Sequence, residues 1–285
     1  MASITRLAPA KINLFLEILR KRDDGFHELA SVMHTLSLAD ELVFTPRDDG
    51  QVHLDTEPID LCAMEDNLVY KVAIALKQAH APNAGASIQL RKRVPHGAGL
   101  GGGSSDAATT LLALNELWAL GLESKALNEI ASRFGSDISF FFRAPAAAVI
   151  GRGELFDESF SKDSLGDIPK HLSVVFPAIH VSTPKVYQSG AIDLSSPRAI
   201  FPSPLPFNRL QAACEKVFPE VALAIAKAEK ILRESGLKPC FDALLCGSGS
   251  AFAFYWSSAD ASNAAAEALR RQAPRGWQVF ATELA

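Results

Sequence analysis

The stretch PHGAGLGGGSSDAATTLLALN, residues 95–115, decides how the chain is read. Five glycines crowd a short loop, two serines and an aspartate follow, and an apolar, alanine-rich helical pattern begins. A flexible linker joins independent units, whereas this loop joins the strand-like SIQLRKRVP directly to an amphipathic helix. Gly97, Gly99 and Gly102 satisfy G-x-G-x-x-G, but the region where a dinucleotide site needs an acidic strand end is still helix, around Asn115 and Glu116. A P-loop needs G-K-[ST], and no lysine lies between Pro95 and the helix. What survives is a phosphate cradle: glycines permit positive φ and close approach of phosphate to backbone N–H groups, and the helix adds the positive end of its dipole. A purely structural helix start is the alternative. Ser104 or Ser105 is expected as N-cap, with Asp106 in the first turn and Gly121 ending the helix.

Outward from the loop, KINLFLEIL (residues 11–19) reads as a strand, with Ile12, Leu14, Leu16 and Ile18 on one face and Lys11, Asn13, Phe15 and Glu17 on the other. DELVFTPR and QVHLDT are further strands. NLVYKVAIALKQAH has helical period with Leu68, Val72, Ala75 and Leu76 on one side, and SKALNEIASRFG gives a helix stopped at Gly135. Beyond residue 155 the texture changes. Polar, turn-rich and proline-rich segments separate HLSVVFPAIHVST, PEVALAIAKAEKILRESG, FDALLCGSGSAFAFYW, ADASNAAAEALRRQ and WQVFATELA. That order of strand, helix, strand, helix, strand predicts a second α+β domain, so the expected division is 1–155 and 156–285.

The chain of 285 residues carries a net charge of −4, which gives no global basic field and no reason to expect a nucleic-acid partner. The apolar run near the N-terminus is broken by Asn13 and Glu17 and ends in charge, against a signal peptide or a membrane span. Cys62, Cys214, Cys240 and Cys246 show no metal-ligand spacing and read as reduced thiols of a cytoplasmic enzyme.

Pro95 to Ala108, standing as P-x-x-x-G-L-G-G-G-S-S-D-A-A, resembles the phosphate loop of the GHMP kinases. Four further stretches narrow the likeness: PAKINLFLEI at 9–18, RDDGFHEL at 22–29, FGSDISFFF at 134–142 and LCGSGSAFAFY at 245–255. In this combination and order they resemble the 4-diphosphocytidyl-2-C-methyl-D-erythritol kinase family, with homoserine or mevalonate kinases as the alternative. Four positions depart from the pattern: Phe26 stands where tyrosine is frequent, Ser139 where proline is common, and His96 and Ala98 where small or apolar residues are usual.

The resemblance implies a two-domain α+β GHMP kinase fold, with a ribosomal-protein-S5-like N-terminal domain and a ferredoxin-like C-terminal one. It implies transfer of the γ-phosphate of ATP, with Mg2+, to the 2-hydroxyl of a cytidine diphosphate-linked methylerythritol, in the non-mevalonate route to isoprenoid precursors. Asp137 is the implied general base and Lys11 the charge that keeps it ionised. ATP is assigned to Asn67 and to Pro95, His96, Gly97, Ala98, Gly99, Leu100, Gly101, Gly102, Gly103, Ser104 and Ser105, with Ser105 also offered to magnesium. The acceptor is assigned to Asn13, Phe26, His27, Thr183 and Tyr187, the rings for the cytosine. Oligomeric state is left as monomer or weak homodimer.

Each assignment has a plainer counterpart in the residues alone. Asp137 and Asn67 would serve as N-caps, Lys11 as a solvated lysine on an edge strand, and Tyr187 as an interface aromatic. Gly247–Ser250 would be a tight turn between buried strands. The basic runs Arg20–Arg22 and Arg91–Arg93 would be solvated surface.

Overall fold

The structure, a computed structural model, describes residues 3–58, 62–197 and 206–285. In chain order the elements are β1 (Ile4–Lys21), β2 (His27–Arg47), β3 (Val52–Glu57), α1 (Leu68–His80), β4 (Gly85–Arg91), α2 (Gly102–Leu117), α3 (Ser124–Ala131), β5 (Ala146–Gly151) and β6 (Leu155–Phe156). There follow β7 (His171–Phe176), α4 (Thr183–Gln188), β8 (Phe207–Asn208), α5 (Leu210–Val217), α6 (Pro219–Glu234), β9 (Leu244–Leu245), β10 (Phe252–Trp256), α7 (Ala259–Gln272) and β11 (Gln278–Glu283). A 3-10 helix spans Ser136–Phe142. Of the proline cluster at 202–206, residues 202–205 lie outside the described residues.

The chain forms two compact units that interleave in sequence: residues 1–10, 39–96 and 101–144 make the first, and 11–38, 97–100 and 145–285 the second. The long strands β1 and β2 and the glycine loop each pass from one unit into the other.

In the first unit β4 pairs antiparallel with the end of β2, from Glu41↔Arg91 to Arg47↔Gly85, and parallel with β3, from Val52↔Ala86 to Glu57↔Arg91. Parallel neighbours need a crossover, and α1 supplies it. Its buried face is Val69, Val72, Ala73 and Leu76. This stripe is rotated from the expected one, with Leu68 and Ala75 only half-buried. Leu42, Phe44, Ile88 and Leu90 from the strands, with Leu111 and Leu114 from α2, complete this core. The strand expected to close at Pro95 ends earlier, at Arg91, and α3 ends at Ala131 rather than running to Gly135.

In the second unit β5 pairs with the start of β2, from Leu29↔Gly151 to His34↔Ala146, and β8 lies parallel to β1 through Phe15↔Phe207 and Leu16↔Asn208. A separate antiparallel sheet runs in the order β11-β7-β10-β9. Every residue of β10 is buried, and α6 and α7 turn Ile225, Ala228, Ile231, Ala265 and Leu269 inward. The five elements expected beyond residue 155 appear in their expected order as β7, α6, the pair β9 and β10, α7 and β11, but α4, β8 and α5 intervene between the first two and were not expected.

The alternation in β1 is real, but its polar face does not meet water. Residues Ala10 to Ile18 are all buried, including Lys11, Asn13 and Glu17 at 4 %, 2 % and 0 % exposure. A buried charge persists only if it is paired and hydrogen-bonded. Glu17 meets that demand with a two-pronged pair to Arg209, Nε to Oε1 at 2.7 Å and Nη2 to Oε2 at 2.8 Å.

Candidate active site

The glycine loop is built by alternation. Gly97, Gly99 and Gly101 take φ of +67°, +79° and +69°, while Ala98 and Leu100 between them are sunk to 1 % exposure. Pro95 is buried and His96 exposed. The following helix starts earlier than expected. Gly101 is the N-cap in the left-handed conformation, no side chain caps the end, and α2 runs from Gly102. Ser104 and Ser105 therefore lie inside the first turn, and Asp106 falls just beyond it. Ser105 N already bonds the Gly101 carbonyl at 2.9 Å. The N–H groups of Gly102, Gly103 and Ser104 have no acceptor within the helix, as at any helix start, and can take an anion. The helix also ends sooner, with Trp118 as its C-cap, so Gly121 (φ +65°) sits in the turn beyond.

Two backbone bonds fix the second-unit half of the loop. Lys11 N donates to the Leu100 carbonyl at 2.8 Å, and Ala251 N donates to the Ala98 carbonyl at 3.1 Å. Gly99 packs so closely on Cys246 that any Cβ there would overlap its carbonyl oxygen. Gly247–Ser250 is thus the expected turn between buried strands, β9 and β10, and it also packs on the glycine loop.

Lys11 is no edge-strand lysine in water. Its Nζ donates to Asn13 Oδ1 at 2.8 Å, Asn13 Nδ2 donates to Ser31 Oγ at 2.8 Å, and Ser31 Oγ donates to the Phe15 carbonyl at 2.6 Å. Asp137 lies in the first unit, half-buried in the first turn of the Ser136–Phe142 helix, whose N-cap is Gly135. The capping alternative for Asp137 is therefore not what the structure shows.

The residues assigned to a base lie in the second unit. The turn before β2 is closed by Arg22 N to the Phe26 carbonyl at 2.8 Å and Gly25 N to the Arg22 carbonyl at 3.1 Å, and it presents Phe26 at 56 % exposure. The Arg152 guanidinium stands 5.0 Å from the Phe26 ring centroid. His27 meets Tyr187 instead, with ring centroids 5.3 Å apart. Burial, with help from the nearby Lys21 charge, holds the His27 pKa below its ordinary value. Thr183, one turn before Tyr187 on α4, shares a 2.6 Å hydrogen bond between its Oγ1 and Ser248 Oγ.

Asn67 does cap α1, its Oδ1 accepting from Val69 N at 3.0 Å. It also borders a first-unit cavity of about 540 Å³, lined among the described residues by Leu54, Thr56, Cys62 and Met64 as well. Capping and lining are compatible.

One cluster was not foreseen. Lys92, expected at the surface, is a buried ammonium between Asp40 and Asp106, 2.7 Å from Asp106 Oδ2 and also bonded to Asp40 Oδ2. Asp40 Oδ1 further accepts from Arg93 N at 2.5 Å and Val94 N at 2.8 Å. Burial, opposed by Lys92 and reinforced by Asp40, pushes the Asp106 carboxyl up to about 7. Burial alone would lower the Lys92 pKa, but Asp106 and Asp40 outweigh it and raise it. A Cβ on Gly102 would stand 3.2 Å from Lys92 Nζ, so the cluster underlies the start of α2. The other basic-run residues that form ion pairs do so at the surface: Arg20 with Glu28, Arg22 with Asp24 and Arg91 with Glu41.

Among the described residues no group of three or more His, Cys, Asp or Glu side chains is placed to hold a metal. A magnesium ion carried on phosphate needs few protein ligands, and those oxygen. Ser105 fits that need: its Oγ is fully buried with no hydrogen-bond partner.

The description GHMP kinases N terminal domain matches residues 67–144, a span that holds the whole glycine loop and Asp137. The chain is 39 % identical over 260 residues to the 4-diphosphocytidyl-2-C-methyl-D-erythritol kinase of Pelotomaculum thermopropionicum, covering 86 % of each chain. The chain belongs to the 4-diphosphocytidyl-2-C-methyl-D-erythritol kinase family. The Pseudomonas aeruginosa member of that family is 41 % identical over 229 residues, covering 79 % of this chain and 78 % of its own. A crystal structure of 4-(cytidine 5'-diphospho)-2C-methyl-D-erythritol kinase superposes with a TM-score of 0.79 at 32 % identity, over 98 % of this chain and 99 % of that one. The mevalonate kinase of Methanococcus jannaschii, at 11 % identity and TM-score 0.62 over 100 % of this chain and 99 % of its own, shares the fold. The fold is the two-domain α+β fold of the GHMP kinases, and the chain is a small-molecule kinase.

Proposed function

We propose that this kinase transfers the γ-phosphate of ATP to the 2-hydroxyl of 4-diphosphocytidyl-2-C-methyl-D-erythritol, releasing ADP and the 2-phosphate. The observation that carries the reading is the Lys11 N to Leu100 O bond, which ties a buried ammonium on β1 to the loop that can hold phosphate. Phosphoryl transfer asks a protein chiefly for positioning and charge, and this arrangement supplies both.

In the proposed reaction the free N–H groups at the start of α2 and the backbone of Gly97–Gly103 hold the ATP phosphates. The acceptor oxygen forms its bond to the γ-phosphorus as the bond from that phosphorus to the bridging oxygen of ADP breaks, and Asp137 takes the hydroxyl proton. Lys11 offsets the charge that gathers on the transferring group, and Asn13 holds Lys11. Magnesium, held through Ser105 and the phosphates, would supply further charge neutralisation. His27 and Tyr187 hold the cytosine, Phe26 offers it a face, and Thr183 supports that wall. Asn67 belongs to the nucleoside end of the ATP site, beside the first-unit cavity.

Homoserine and mevalonate carry no ring for the His27–Tyr187 pair, which favours the cytidylated acceptor. The division into domains at 1–155 and 156–285 is kept as a proposal about family modules, distinct from the two interleaved compact units. Cytoplasmic location is proposed from the need for ATP and from four unpaired thiols. No helix among the described residues is long and apolar enough to cross a membrane.

Phosphorus NMR of the product tests the reading. A new phosphomonoester coupled to the carbon bearing the 2-hydroxyl is expected, with the diphosphate bridge intact. A phosphate on another oxygen, or ADP formed with no new ester, would overturn it.

A further inference from the structure

Lys11 is held from one side by Asn13, and from the other by the turn after β9. A Cβ placed on Gly247 would lie 3.4 Å from Lys11 Nζ and 3.0 Å from the Gly99 carbonyl oxygen. Gly247, at φ +57°, therefore sets how close the turn comes to both the ammonium and the glycine loop.

One side chain fixes that turn from behind. Asn208, 6 % exposed, donates through Nδ2 to the Leu245 carbonyl and to the Gly247 carbonyl at 2.7 Å each, and its Oδ1 accepts from Leu210 N at 2.9 Å. Both amide protons are thus spent on the two carbonyls that flank Cys246. The Cys246 carbonyl between them is left to accept from Gly249 N at 2.9 Å and to pack on Gly99. Asn208 is also in register with the strand that bears Lys11, opposite Leu16, and Arg209 N donates to the Leu16 carbonyl at 2.8 Å. One residue consequently joins the glycine turn and the start of α5 through its side-chain amide, and β1 through backbone pairing.

We infer that Asn208 is a positioning residue for the phosphoryl transfer: by fixing the Gly247 carbonyl it holds the turn that keeps the Lys11 ammonium against the glycine loop. The inference rests on the role proposed for Lys11. Shape alone does not require an asparagine here, whereas two carbonyls that must be held at once require an NH2 group.

The test is a double-mutant cycle on the full chain, with magnesium-ATP and the cytidylated acceptor. Asn208→Asp keeps the shape and the acceptor for Leu210 N, but sets a carboxylate oxygen against two carbonyls. Its kcat is expected to fall roughly 100-fold, the loss that a small misplacement at a reacting centre produces. Both KM values should move by less than about threefold, since binding groups are untouched. In the Lys11→Met background the same change should cost less than about threefold more in kcat, because the two residues act as one unit. Losses that multiply, or an unchanged kcat in Asn208→Asp beside a crippled Lys11→Met, would overturn the inference. A Lys11→Met enzyme with undiminished kcat would remove the Lys11 assignment itself, and this one with it. If Asn208→Asp does not fold, Gly247→Ala decides: it leaves Asn208 intact and presses on the same ammonium. The same kcat loss, again non-additive with Lys11→Met, is expected, and an undiminished kcat would overturn the inference.

Discussion

The imidazole of His27 and the phenol ring of Tyr187 stand 5.3 Å apart with their planes tilted by 47°. One begins β2 and the other lies on α4, so residues far apart in the sequence build one aromatic wall in the second unit. Burial keeps the imidazole below its ordinary pKa, hence neutral at physiological pH. A neutral imidazole offers one N–H and one lone pair, which suits the mixed donor and acceptor edge of a pyrimidine.

Replacing either ring by alanine is therefore expected to raise the KM of the cytidylated acceptor by about tenfold, close to the worth of one aromatic contact. The KM of ATP should stay where it is. The double variant should lose less than the product of the two single losses, because the rings support each other. Steady-state kinetics with each substrate varied in turn gives the answer, and an equal rise in both KM values would argue against a base-binding wall.

Asp137→Asn keeps the side chain's size and removes its basicity. kcat is expected to fall roughly 10²–10⁴-fold, the usual worth of a positioned acid–base group. Titration calorimetry should find ATP binding unaltered. Turnover near the parent rate would end the assignment of Asp137 as base.

The glycine loop makes a paired forecast. Gly97 and Gly99 both have positive φ, but a Cβ on Gly97 meets nothing within 4 Å whereas one on Gly99 runs into the Cys246 carbonyl. Gly97→Ala should cost only the left-handed penalty of about 1–2 kcal/mol. Gly99→Ala adds a backbone collision and should cost about 3 kcal/mol or more. Denaturant titration of the two variants checks the order, and equal losses would mean that the loop can move off the second glycine turn.

The buried Lys92 cluster gives stability a pH dependence with a definite sign. Asp106 in the folded chain titrates near 7, pushed up by burial against the pull of Lys92. In the unfolded chain it titrates near 3.9. Between those values the folded state binds the extra proton, so this group's contribution is complete below about pH 4 and is lost as the pH rises through 7. The parent protein should lose stability relative to Asp106→Asn between pH 5 and pH 8. Thermal melts of both at the two values measure it, and a gap that stays constant or shifts in favour of the parent would contradict it.

Much of this was legible in the sequence because it is written in local patterns. The period-two alternation of β1, the period of α1 and the strand–helix order after residue 155 all describe how an element presents a face. What sits against that face is not local. Lys11, Asn13 and Glu17 read as a polar strand face, and only the structure shows that the face is interior and closed by Ser31 and Arg209. The start of α2 was misjudged for a related reason. Serine and aspartate are strong capping residues, but Gly101 had already turned the chain, so they were carried into the helix. Lys92 stood in a basic run that looked solvated, and nothing near it in sequence announced Asp40. Asn208 follows a proline-rich stretch, where an asparagine ordinarily reads as a turn residue. Its partners, Leu245 and Gly247, lie far along the chain.

The specificity constant for two acceptors tests the central claim most directly. ADP release is followed with magnesium-ATP and either 4-diphosphocytidyl-2-C-methyl-D-erythritol or the same methylerythritol phosphate without its cytidine group. The cytidylated acceptor is expected to have a kcat/KM higher by roughly 100-fold or more, since about 3 kcal/mol of aromatic and hydrogen-bond contact is lost without the base. Equal kcat/KM for the two, or turnover of homoserine or mevalonate in preference to both, would contradict the account and strip His27 and Tyr187 of their role.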